Sequence, residues 1–440
     1  MVPRKLKDDL SLRYFKFFLV IVSAGAIYPL LYLRQNFELS IREHFQLTLG
    51  EFGDLYSLLG ITFFLCYFPS GWLADRFSPK NLVVMSLLAT SLTGYCFAYT
   101  NDSALLPIIY VSWGLSTGLT FWAPLIKCTY SLAKKEEQGR FFGFLEGGRG
   151  LVEAILATMA VAIFTYVGSK SDTNSAQALR MVILFYATLC LFMAILDALV
   201  LDNLGSAKSN QQHLDKPQEK LTERIKELLT IRVALVAFII LTAYQLFWVT
   251  YSFSAFLQVD SLVGPVTAGG ITVGKLWMRP LASISAGFLG DRIKNEFLCA
   301  GAQFCCVLAL ITLAWAAPIF PPPAIAALVI FAGFCCYATR GVYWALLDQC
   351  QIKPESIGLA IGAISLLAYS PDIFLPQLLG WLSQDYEGMK LYRIYFSFAA
   401  ISGLLGCIAS LKLAMTQDHK SIKQLFASLT QKKSQDSLEY

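Results

Sequence analysis

The stretch Gly71-Trp72-Leu73-Ala74-Asp75-Arg76-Phe77-Ser78-Pro79-Lys80 lies between two long apolar segments, Leu55–Ala74 and Leu82–Ala98. Apolar runs of this length match the hydrocarbon thickness of a bilayer, so the stretch reads as a tight charged turn between two membrane helices. Gly71 has no side chain to hold two helices apart. Asp75 and Arg76 fall where the chain leaves the hydrocarbon and charge is tolerated. The pattern returns as Gly287-Phe288-Leu289-Gly290-Asp291-Arg292. A turn repeated in two halves of an apolar chain points to a duplicated, membrane-spanning fold.

Composition agrees. The 440 residues are 56% hydrophobic and 15% charged, with a mean hydropathy of +0.56. A soluble domain is about a quarter charged, so lipid must be part of the solvent here. The net charge of +5 is spread along the chain, and no Lys/Arg run is long enough for a nucleic-acid patch. Nearly all of the 11 cysteines lie in apolar runs without a C-x-x-C pattern, which reads as small buried residues. His44, His213 and His419 fall in separate loops, so no metal site is expected. The apolar run after Arg4, Lys5, Lys7, Arg13 and Lys16 continues to Leu33. It exceeds a signal peptide's core and reads as a retained first helix.

Apolar length predicts an all-α membrane protein of twelve spans. They are Phe15–Leu33, Leu55–Ala74, Leu82–Ala98, Leu105–Tyr130, Phe141–Val167, Met181–Val200, Val233–Leu257, Val263–Leu289, Leu298–Ala317, Ala324–Leu347, Ile357–Leu382 and Tyr392–Ala414. Residues 1–200 form one six-helix bundle and 233–414 the other. Between them runs a polar linker, 201–232, whose segment Gln218–Leu229 has the apolar spacing of an interfacial helix; a solvated tether is the alternative. A polar tail, 415–440, follows. With both termini in the cytoplasm, roughly 24 basic residues fall on that side and about six outside, which satisfies the positive-inside rule. A further echo supports duplication: Phe121-Trp122-Ala123 with Cys128 matches Tyr343-Trp344-Ala345 with Cys350 at equal spacing.

The pattern G-x-L-x-D-R after the second span, with its weaker copy after the eighth, resembles the loop signature of the major facilitator superfamily. Tyr32-Leu33-Arg34-Gln35-Asn36-Phe37 with Gly53-Asp54-Leu55 is similar to the first-helix region of organophosphate:phosphate antiporters. Phe142-Gly143-Phe144-Leu145-Glu146-Gly147-Gly148-Arg149-Gly150 resembles a bacterial YihN-like branch. The resemblance implies two six-helix halves rocking around a central cavity, with Asp75 and Arg76, and by repetition Asp291 and Arg292, at a cytoplasmic gate. It also places Tyr32, Trp122, Tyr244, Trp248, Tyr251 and Trp344 on cavity-lining helices. Where the antiporters carry a second basic residue on helix seven, this chain has Tyr244-Gln245-Leu246; Gln245 becomes the polar candidate there.

Ionisable residues deep in a span are costly unless they face a cavity or a partner. Lys275 and Arg279 share one helix face and repel, so something negative should sit beside them: Asp372 or Glu153 from a facing helix, or a bound anion. The two readings are a substrate site and an internal salt-bridge network. Pro280 is expected to kink that helix. Glu146, Arg149 and Glu153 form one stripe; the first two suggest a gate, while Glu153 is a proton carrier or a partner for Arg149. Ser370-Pro371-Asp372 should break helix eleven and place an acid in the outer half. Asp372 is then a coupling group or a partner for Arg340 or Arg279. Arg340 should face the cavity, and its fork suits carboxylate, phosphate or sulfonate oxygens. Arg34 either joins the site or snorkels to the interface.

Deep cations outnumber deep acids, which predicts a secondary transporter of a small organic anion in a bacterial cytoplasmic membrane. Arg34, Lys275, Arg279 and Arg340 attract the anion, and Glu153 and Asp372 couple its movement to protons or a counter-anion. The expected protein is a monomer without cofactor. No P-loop pattern is present to bind ATP, and no catalytic motif points to an enzyme. The rival reading is a transporter-like sensor that binds a ligand without flux.

Overall fold

The computed structural model describes residues 4–132, 138–169, 175–201, 229–290, 292–352 and 357–436. Every regular element among them is helical. Twelve crossings follow in order. The first half holds α1 (Leu12–Phe45), α2 (Leu49–Arg76), α3 (Pro79–Tyr99), α4 (Ser103–Thr129), α5 (Gln138–Gly168) and α6 (Ser175–Val200). The second holds α7 (Ile231–Gln258), α8 (Pro265–Gly290), α9 (Asn295–Ile319), α10 (Pro322–Cys350), α11 (Ala360–Asp385) and α12 (Gly388–Thr416). Of the described helices, 11 are long and apolar enough to cross a membrane. The remaining crossing, α8, has the length, at 26 residues. Its two cations and its glycines dilute its hydropathy. Twelve crossings leave both termini on one face, called here the terminal face.

Local sequence explains where several helices begin. Thr48 caps α2: its hydroxyl accepts from the Glu51 amide while Glu51 accepts from the Thr48 amide at 2.8 Å. Such a box contributes about 1 kcal/mol. Pro79 and Pro322 open α3 and α10, where a missing N–H costs nothing. Within each half, glycines set the helix spacing. A Cβ at Gly25 of α1 would lie 2.6 Å from Val152 of α5, and one at Gly403 of α12 would lie 2.9 Å from Leu246 of α7. Close backbone approach supplies the dispersion contacts that lipid cannot.

Three expectations change and one holds. The first crossing does not end at Leu33; after breaks around Ile27 and Tyr32–Leu33 it resumes as Arg34–Phe45. Pro280 does not interrupt α8, which is helical throughout. The break at Ser370-Pro371 is present, between Ile357–Ala368 and Pro371–Asp385. The helix of α12 continues past residue 415 to Asp436. The proposed interfacial helix at 218–229 lies almost wholly outside the described residues. The echoed motifs share a departure from α-geometry: a π-turn at Leu115–Leu119 precedes Phe121, and a 3-10 stretch, Tyr343–Cys350, begins at Tyr343.

Candidate functional site

Away from the terminal face the two halves are sealed. On the α2–α11 seam a Cβ at Gly53 would strike the Pro376 carbonyl, and one at Gly60 would lie 2.6 Å from the Asp372 carbonyl. Ser57 donates to the Ile373 carbonyl at 2.7 Å. On the α1–α7 seam Tyr32 stacks on Tyr251, with ring centroids 5.2 Å apart. Ser254 donates to the Asn36 carbonyl, and Thr272 to the Asn36 side chain at 2.7 Å. The cavity left among Asn36, Ser40, Phe164, Gln258 and Gly269 is about 10 Å³. That is barely room for one water, so it belongs to the seal and not to a substrate site.

Toward the terminal face the α5–α8 seam is solvent-accessible. The Glu146 side chain is 50% exposed although it lies between two arginines. It accepts from Arg149 at 3.2 Å and sits 3.6 Å from Arg279. Arg279 also pairs with Glu153, so α8 of one half is tied to α5 of the other. Arg149 is held further by the faces of Tyr28 and Trp122, at 5.3 and 5.4 Å. The expected stripe on α5 is therefore real. Its acids serve Arg279 as well as Arg149, and Glu153 pairs with Arg279 and not with Arg149.

Arg340 is the exception among the chamber's cations. Half-buried at the end of the α-helical part of α10, it has no carboxylate within ion-pair distance among the described residues. Its guanidinium lies 4.0 Å from the Phe247 ring centroid and 5.5 Å from that of Tyr244. Its buried Nη1 has no hydrogen-bond partner. Asp372 is the counterpart among acids. It is not paired with Arg340 or Arg279; instead its Oδ1 accepts from Tyr244 Oη and Trp248 Nε1, each at 2.8 Å.

Several candidates lie elsewhere. Arg34 neither snorkels nor lines the open chamber. It is 1% exposed and bridged to Glu38 at 2.9 Å. Its guanidinium rests 4.7 Å from the ring centroids of Tyr56 and Trp248. The longer α1 is the reason, since it carries Arg34 into the seal. Glu38 went unnoticed in the sequence although its i, i+4 spacing from Arg34 was the available signal. Lys275 turns away from Arg279 and is fully buried within the second half. There it donates to the Thr250 carbonyl and hydroxyl at 3.1 Å and has no acid beside it among the described residues. A shared helix face did not bring the two cations to one site, because α8 sits between α5 and the α7–α10 pair. Gln245 accepts from Ser402 at 2.7 Å, inside the second half against α12. Trp344 packs on Tyr343. Arg292 is exposed at the end of α8. Asp75 and Arg76 are helical in backbone, but their side chains, with all of Asp291, lie outside the described residues. Tyr67, Phe247, Tyr337 and Tyr369 join the chamber without any motif to mark them.

With two six-helix halves closed on one face and solvent-accessible on the other, the match of residues 14–376 to the Major Facilitator Superfamily model decides the family. The chain belongs to the Major Facilitator Superfamily. Inner membrane protein YqcE of Escherichia coli is 26% identical over 394 residues, covering 87% of this chain and 90% of that one. Inner membrane protein YihN of the same organism is 24% identical, covering 93% and 97%. Among solved structures, a D-xylose-proton symporter superposes with a TM-score of 0.70 at 15% identity, covering 91% of this chain and 98% of that one. The nucleoside transporter NupG gives 0.67 at 13% identity, covering 90% and 98%. The solved structures fix the facilitator fold, and membership of the family makes the chain a transporter rather than an enzyme. The relatives named as inner membrane proteins agree with the apolar crossings seen here.

Proposed function

We propose that this facilitator moves a small organic anion across the cytoplasmic membrane by alternating access, with both termini in the cytoplasm. The observation that carries the reading is Arg340, a chamber cation with an orphaned Nη1 and no acid beside it among the described residues. A guanidinium held against Phe247 and Tyr244 offers Nε and Nη2, which unlike Nη1 are not among the sealed atoms, to an incoming carboxylate, phosphate or sulfonate group. The structure then corresponds to the state open to the cytoplasm, because the terminal face is accessible and the other sealed. Arg279, Glu153, Glu146 and Arg149 hold the α5–α8 seam, and their exchange of partners accompanies rocking. Protons or a counter-anion supply the coupling through Glu153 and Asp372.

The test is uptake into proteoliposomes of a panel of labelled organic acids, neutral sugars and cations, with and without a pH gradient. Anion uptake abolished by Arg340→Gln supports the reading. Uptake of neutral or cationic solutes alone, indifferent to that substitution, overturns it.

A further inference from the structure

Building on the anion reading, we infer that the substrate is an anion that also carries a hydrogen-bond donor, a hydroxyl or an ammonium, and that Asp372 selects it. Arg340 and Asp372 both meet one side chain, Tyr244. The guanidinium lies 5.5 Å from the ring centroid, and the phenol donates to Asp372 Oδ1 at 2.8 Å. Trp248 Nε1 donates to the same oxygen. Both protein donors thus converge on Oδ1, and Oδ2 accepts nothing from the described residues. Oδ2 is also absent from the sealed, partnerless polar atoms, as are Arg340 Nε and Nη2. The carboxylate is fixed by one oxygen and presents the other.

No cation lies within ion-pair distance of Asp372 among the described residues, and a carboxylate cannot receive an anion's oxygens. It can receive a donor. A ligand whose acidic group meets Arg340 therefore places a donor on Oδ2, one tyrosine side chain away. An apolar chain there leaves the Oδ2 lone pairs unmet and is rejected for that reason. The same oxygen serves coupling: a proton on Asp372 and a donor on the substrate compete for Oδ2, so the arrival of one displaces the other.

The experiment is a binding titration on the purified full-length protein in nanodiscs, read by thermal shift and calorimetry. The probes are gluconate, 6-aminohexanoate, hexanoate and glucose. Gluconate or 6-aminohexanoate should bind about tenfold or more tighter than hexanoate, the usual value of a hydrogen bond to a charged group. The stronger of the two identifies the donor. In Asp372→Asn the side-chain oxygen still accepts from Tyr244 and Trp248, so the fold is kept while Oδ2 becomes a donor. The preference over hexanoate should then collapse toward unity. Arg340→Gln should remove binding of every acid. Equal affinity for hexanoate, or a preference unchanged in Asp372→Asn, overturns the donor requirement and leaves the anion reading standing. Binding of glucose alone, or no shift with any acid at saturation, overturns both.

Discussion

Of the seams that join the halves, two are built from opposite materials. The α2–α11 seam is backbone against backbone: Gly50 against Gly380, Gly53 against Pro376 and Gly60 against Asp372, with one Ser57 hydroxyl on a carbonyl. The α5–α8 seam is side chain against side chain, with Arg279 shared between Glu146 and Glu153 and Trp277 donating to Thr158 at 3.0 Å. A glycine seam has one good register and little ability to stretch, because dispersion falls away within an ångström. An ion-pair seam can trade partners, since Glu146 already serves both Arg149 and Arg279. The first therefore acts as a shut face and the second as a switchable tie. A rocking transporter needs both.

The sharpest way to break this contrast is to widen the glycine seam. Gly53→Val drives methyls into the Pro376 backbone, which cannot rotate aside. The expected loss is about 3 kcal/mol of the sealed arrangement. A cysteine at Gly269, which faces Val161 at 3.4 Å across the halves, should then label with a membrane-impermeant maleimide from the normally sealed face. Unchanged labelling removes the seam from that role. Next in size is Arg279→Gln, which leaves Glu153 without its cation. The pair is partly solvated, with Glu153 18% exposed, so the cost should be about 2 kcal/mol, below that of a fully buried pair. The double variant with Glu153→Gln should recover part of the loss in thermal unfolding; strict additivity would show that the two do not act as a pair.

Ser57→Ala should cost about 1 kcal/mol, one hydrogen bond, and its effect should not change with salt. Raising the salt should weaken the α5–α8 tie alone, because screening reaches an accessible ion pair and not a glycine contact. Smallest is Trp277→Phe, which removes an exposed indole bond to Thr158 for about 0.5 kcal/mol. A larger loss there would mean the tie rests on aromatic packing more than on charge.

Much of the frame was legible beforehand. Apolar length gave the crossings, and the repeated Gly-Asp-Arg turns gave the halves. Ser370-Pro371 marked a true break, with Pro371 opening the second helical piece at a position where a missing N–H costs nothing. Pro280 misled: a helix packed on both sides can run through a proline, and α8 does so between α5 and α10. Arg34 misled because the first crossing does not stop where its apolar run stops; Glu38 neutralises the extension. Spacing put Lys275 and Arg279 on one face, and only their neighbours decided which looks inward.

The chain's own order of residues determined what must be hidden from water and from lipid: twelve crossings, two matched halves, and a set of ions that hydrocarbon will not accept singly. Those are local properties, set by length, period and the cost of bare charge. Tertiary structure decided the pairing. It gave Glu153 to Arg279 and Glu38 to Arg34, held Asp372 by one oxygen, and left Arg340 facing an open chamber without an acid among the described residues. Pairing depends on which helices meet and at what depth, and a one-dimensional pattern does not contain that distance.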